Sequence, residues 1–138
     1  MLIVIYGNNS NGMVKINDKT FCSGGEHCCI YIVSIEPIQV IQKIMLEEED
    51  SWNFIHFLIK SNDGFIFTSS EDEIIQYKII KDEDDNFIKL EKFDIIKDAF
   101  YNHTVAITED HKIFYKQKID NFEGKTNLFL TKYKQLNN

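Results

Sequence analysis

Short alternating runs of apolar and polar residues, each closed by a Gly, Asn or Asp cluster, make up most of the chain. That is the pattern of half-buried strands rather than helices. Strands are predicted over Leu2–Tyr6, Met13–Ile16, Phe21–Ser23 and Ile30–Val33. A second series follows at Val40–Met45, His56–Lys60, Phe65–Ser69 and Ile74–Ile80, with a further extended piece at Phe87–Leu90. A third uses Asp94–Phe100, His103–Thr108, Lys112–Gln117 and Asn127–Tyr133. One stretch, Pro37–Glu49, also has helical spacing, with Ile38, Ile41, Met45 and Glu48 on one face and a proline suited to a first turn. The β-branched Ile38, Val40 and Ile44, and the strand reading of the equivalent Asp94–Phe100, favour an extended segment there too.

The pattern repeats. His103–Tyr115 has two apolar runs around a Glu-Asp-His-Lys turn, and His56–Phe67 matches it with His56 opposite His103, Asp63 opposite Asp110 and Phe67 opposite Phe114. Val14–Glu26 lies opposite Ile59–Glu71 without a gap. Periods of this length mark propellers, trefoils and arrays. The expectation is therefore an all-β single domain, residues 1–138, made of three four-stranded repeat units at about 1–36, 37–90 and 91–138. As blades these form a partial β-propeller with an open sheet at each end; the β-trefoil is the alternative, because its arithmetic also suits twelve strands.

Composition narrows the function. With 43% hydrophobic and 13% aromatic residues, a chain of 138 residues can bury a core. All fifteen basic residues are lysines, so no bidentate guanidinium fork is available for phosphate or guanine. A net charge of −7 argues against nucleic acid and anionic membranes as partners. The charge is uneven: residues 1–110 hold nine lysines against twenty acids, a net −11, whereas 111–138 hold six against two, a net +4. No apolar run is long enough for a membrane helix, and three cysteines, two of them adjacent, make a poor disulfide framework; a cytoplasmic protein is expected.

The His56–Phe67 and His103–Tyr115 hairpins, Gly24-Gly25 after a third strand, and Glu36-Pro37-Ile38-Gln39-Val40 as the entry to a next unit resemble the repeat of the regulator of chromosome condensation family. The likeness touches most of residues 1–118; Asn53 and Phe100 stand where that repeat has glycine, and Asn11 where it has histidine. The resemblance implies β-propeller blades and, as activities, guanine-nucleotide exchange on a small GTPase or another regulatory contact with one. No wedge residue of that family can be matched here.

Candidate chemistry is sparse. Cys22, Cys28 and Cys29 with His27 lack the spacing of a zinc site, and neighbouring strand residues point to opposite faces, so they are read as packing and no metal is expected. His56 and His103 recur at one position, which suggests bonds to nearby backbone carbonyls rather than base catalysis. No phosphate loop, dinucleotide fingerprint or nucleophile elbow is present, so no cofactor or catalytic residue is assigned and the chain is read as no enzyme. Candidate partner-binding residues are the acidic runs Glu47, Glu48, Glu49 and Asp50, and Asp82, Glu83, Asp84 and Asp85, together with Trp52 as an aromatic anchor. The expected function is a non-enzymatic protein-interaction module. The alternatives are exchange on a small GTPase and carbohydrate binding by a trefoil. Head-to-tail self-association is expected as well, with the basic end of one copy attracted to the acidic body of another and weakened by salt.

Overall fold

The computed structural model describes residues 10–25, 29–46, 55, 57–69, 73–97, 99, 105–119 and 128–137. Eleven strands and no helix occur among them. β1 (Ser10–Asn17), β2 (Thr20–Gly25), β3 (Cys29–Ile35) and β4 (Ile38–Met45) form sheet 1 in that order. β5 (Leu58–Lys60), β6 (Phe65–Ser69), β7 (Glu73–Lys81) and β8 (Phe87–Lys97) form sheet 2, and β9 (Ala106–Ile107), β10 (Lys112–Ile119) and β11 (Leu128–Gln135) form sheet 3. All pairings are antiparallel, and the fold is all-β as the alternation predicts. None of the sheets closes into a barrel, so the trefoil alternative is not the architecture.

The phase of the repeat differs from the expected one. Val40–Met45 does not open the second unit: as part of β4 it pairs with β3 and completes sheet 1. A hairpin at Glu36-Pro37 returns the chain at once onto the strand it has just left, which costs less closure entropy than a crossing to another sheet. The helical alternative for Pro37–Glu49 fails for the same reason. Likewise Phe87–Leu90 and the start of Asp94–Phe100 are one eleven-residue strand, β8, closing sheet 2 instead of opening the third unit. Leu2–Tyr6, His56 and His103 lie outside the described residues.

The three sheets share one register. Lys15 faces Phe21, Lys60 faces Ile66, and Ile107 faces Ile113. Cys22 faces Ile32, Phe67 faces Gln76, and Phe114 faces Tyr133. A bulge falls between Ile32 and Val33 in sheet 1 and at the matching Gln76/Tyr77 step in sheet 2. A further bond is repeated in all three: Ile35 N–H donates to Lys19 O (2.8 Å), Ile79 N–H to Gly64 O (3.0 Å) and Leu136 N–H to His111 O (2.7 Å).

The sheets stack face to face, with sheet 2 in the middle. Alternation sends Leu58, Ile66, Ile75, Tyr77 and Ile79 to one face of sheet 2, where they meet Ile16, Cys22, Ile30 and Ile32 of sheet 1. Phe65, Phe67, Ile74 and Ile96 take the other face and meet Ile113 and Leu136 of sheet 3. All five residues of β6 are therefore buried. The face of sheet 2 that carries Leu58 and Ile66, and the register-equivalent face of sheets 1 and 3, is the front, and the other the back. The innermost strands approach closely, since a Cβ built on Gly12 of β1 would lie 2.7 Å from Leu58 Cβ of β5. Polar clamps join the outer strands. The Gln42 amide donates to Leu90 O (3.2 Å) and accepts from Leu90 N–H (2.9 Å), and Lys134 of β11 bonds Asp94 Oδ2 of β8 (3.1 Å), Asp94 being the register equivalent of Gln42.

Candidate functional site

Three turns use the same chemistry. Ser61, Asp82 and Thr108 each begin one; the backbone N–H three residues on donates to the first residue's carbonyl, and the N–H four residues on donates to its side-chain oxygen. A residue with positive φ follows the turn: Gly64 at 89°, Asp85 at 64° and His111 at 60°. This is a turn followed by a left-handed bulge residue. Gly64 takes its positive φ as the bulge residue of a longer connection, not within a two-residue turn.

Two of these turns, on sheets 2 and 3, face each other across a cleft of about 380 Å³. Lys60, Asn62, Asp63, Thr108, Glu109 and His111 are among its lining. His111 Nδ1 lies 3.1 Å from Asp63 Oδ2 and links the two sheets. The Ser61 hydroxyl donates to the other oxygen of Asp63. A serine, an aspartate and a histidine thus stand together, but in an order that does not activate a nucleophile: the carboxylate sits in the middle and the imidazole makes no bond to the hydroxyl. The neighbouring turn has the same Thr108–Asp110 pair, so this hydroxyl–carboxylate bond belongs to turn construction. There it holds the Asp110 carboxyl below its ordinary value, with the Lys112 ammonium adding to the effect.

The cysteines divide between faces. Cys22 sits on the back of sheet 1 in the core, where burial pushes its thiol up to about 12, and Cys29 shares the front with Tyr31. They are thiols and not a disulfide, and they are placed too differently to hold one ion. Cys28 lies outside the described residues.

Of the sequence-predicted partner-binding residues, Glu47, Glu48, Glu49, Asp50 and Trp52 lie outside the described residues. Asp82, Glu83, Asp84 and Asp85 make the β7–β8 turn. Asp82 Oδ1 accepts from Asn86 and Asp84 N–H, each at 2.9 Å, and the Asn86 N–H, with the Asn86 side-chain amide on Oδ2 (3.1 Å) and then Asp84 N–H, holds its carboxyl below its ordinary value. Asp85 is the bulge residue and pairs with Lys81 at 2.9 Å. Half of that acidic run is thus explained as turn chemistry, leaving Glu83 and Asp84 pointing to solvent.

What sequence reasoning missed is the front of sheet 1. Met13 (65% exposed), Ile35 (43%) and Val40 (49%) lie open there, around the buried Val33 and half-buried Phe21 and Tyr31. The register equivalents of Met13, Phe21 and Ile35 in sheet 2 are Leu58, Ile66 and Ile79, exposed by only 6%, 0% and 8%. The signal was available in the alternation, which is apolar on both faces of β3, but which face is covered depends on the order of the stack. An open apolar sheet face offers contact area. Comparison with protein-family models finds no match to this chain, and comparison with curated proteins finds none either.

Proposed function

We propose that this chain is a non-enzymatic protein-interaction module of propeller-like repeats that works in the cytoplasm and binds through the front of sheet 1. The observation that carries this reading is the exposure of Met13, Ile35 and Val40 at the surface of a sheet whose neighbour buries the equivalent face. A partner would remove that apolar surface from water at roughly 25 cal/mol per Å². The buried thiols of Cys22 and Cys29 suit a reducing compartment, and the hairpins that resemble regulator of chromosome condensation repeats suit a blade architecture.

The test is site-specific photo-crosslinking in cells. A crosslinker at Val40 is expected to give a discrete protein adduct, whereas one at Glu83, exposed on the β7–β8 turn, is expected to give none. Adducts at Glu83 but not at Val40 would move the binding surface to the acidic turn; none at either would remove the module reading.

A further inference from the structure

From the register that the three sheets share, we infer that the partner seated on the front of sheet 1 is the back of sheet 3 of a second copy of this chain. The inference rests on the interaction-module reading and specifies its partner.

Within the chain both contacts between sheets join a front to a back, and each is made by the same positions. At the fronts, Met13, Leu58 and Val105 are equivalent, as are Phe21, Ile66 and Ile113, and Ile35, Ile79 and Leu136. In sheets 2 and 3 these residues belong to the two buried clusters. At the backs, Cys22, Phe67 and Phe114 are equivalent, as are Ile32, Gln76 and Tyr133. Cys22, Ile32, Phe67 and Gln76 are buried. Two faces are left over, and each is the complement of the other in kind. The front of sheet 1 exposes Met13 at 65% and Ile35 at 43%; the back of sheet 3 exposes Tyr133 at 63%, with the Phe114 ring 5.6 Å from it.

A second copy placed head to tail continues the stack in its existing order, sheet 3 followed by a new sheet 1. Lys60 of sheet 2 already reaches back to Ile16 O of sheet 1 (3.3 Å), and Lys15 is the equivalent residue at the open front. Such an interface is heterologous, so it uses two different surfaces of each chain. Its charge differs from the one the sequence suggests. Lys15 and Lys43 lie on the front of sheet 1 and Lys112 on the back of sheet 3; Lys15 pairs with Asp18 of its own turn (2.6 Å) and Lys112 with Asp110 (3.0 Å). With those ammoniums compensated within their own chain, the contact is chiefly apolar and salt should not loosen it.

Sedimentation equilibrium of the full chain tests this. The wild type is expected to form assemblies of two or more copies, held at least as tightly at about 0.5 M salt as at low salt. Met13→Asp and Tyr133→Asp each place a carboxylate on one exposed face and should weaken assembly by at least about tenfold with unchanged circular dichroism. Ile35→Asp provides a second front-face variant if Met13→Asp is poorly folded. Mixing Met13→Asp with Tyr133→Asp should restore a dimer, because one intact front and one intact back remain between them. A monomer at every concentration overturns the inference. So does loss of assembly in Met13→Asp without loss in Tyr133→Asp, or failure of the mixture to reassociate. A monomeric chain that still crosslinks a different protein from Val40 overturns self-association and leaves the module reading standing.

Discussion

Gly64 and His111 hold the same place in equivalent turns, yet only one is glycine. Both have positive φ, which in an L-residue brings Cβ toward the following carbonyl. A Cβ added at Gly64 meets nothing within 4 Å, so any cost of Gly64→Ala is that of the backbone alone. It should destabilise the fold by about 1 kcal/mol, read from urea unfolding, and an unchanged midpoint would contradict the turn geometry. His111 accepts the same conformation while its ring pairs with Asp63, a contact that glycine could not make. Cys22 presents the opposite case of a reactive group without a reaction. With its thiol pushed up to about 12 by burial, it should resist alkylation in the folded protein at pH 8 and become reactive on unfolding. Rapid native labelling of Cys22 would show that the first core is open to reagent.

At the scale of elements, hairpins and turns were legible in the sequence, whereas the grouping of strands into sheets was not. Alternation identifies β4 and β8 as strands, and the offset from Lys15 to Lys60, 45 residues, is the one the paired registers have. Nothing in a period of two says which neighbour a strand pairs with, so the sequence alone places Val40–Met45 one sheet too late. Side chains that join sheets were equally hidden, because Gln42 and Leu90, or Asp94 and Lys134, are far apart in sequence and ordinary in type. The Asp94 carboxyl is pushed up by partial burial but pulled down further by the Ile95 N–H and the Lys134 ammonium, and it ends below its ordinary 3.8. Since the folded value is the lower one, Asp94 stabilises the fold above that ordinary value and loses its contribution as pH falls through the folded value. The stability difference between the wild type and Asp94→Asn should therefore be present at pH 6 and shrink below pH 3.8; a difference independent of pH would show that the carboxylate charge is not used. Close approach of β1 to β5 gives a steric test of the same joints. Gly12→Ala places Cβ against Leu58 Cβ, which is fixed to its backbone and cannot swing aside, and should cost about 1–3 kcal/mol.

For the whole molecule, the order of the stack decides where stability is concentrated. Sheet 2 shares one core with sheet 1 and the other with sheet 3, so it contributes to both while each outer sheet contributes to one. Opening either end sheet exposes a single interface, but exposing β6 requires both to part, since Phe65 and Phe67 point one way and Ile66 the other. Local openings of lower free energy are thus confined to the ends. In native-state hydrogen exchange, the amides of Phe67 in β6 and Ile75 in β7 should exchange last and approach the global unfolding free energy, while those of Met13 in β1 and Tyr133 in β11 exchange earlier. Phe67→Ala, which empties a fully buried ring site between sheets 2 and 3, should cost about 3–5 kcal/mol and lower protection in sheets 2 and 3 together. The exchange order also bears on self-association. Addition of a second copy covers the front of sheet 1 and the back of sheet 3, so protection at Met13 and Tyr133 should rise with protein concentration, and that at Phe67, which reports global unfolding, should rise with the association free energy as well. Concentration-independent exchange at both ends would mean that the open faces of the stack remain uncovered by another copy.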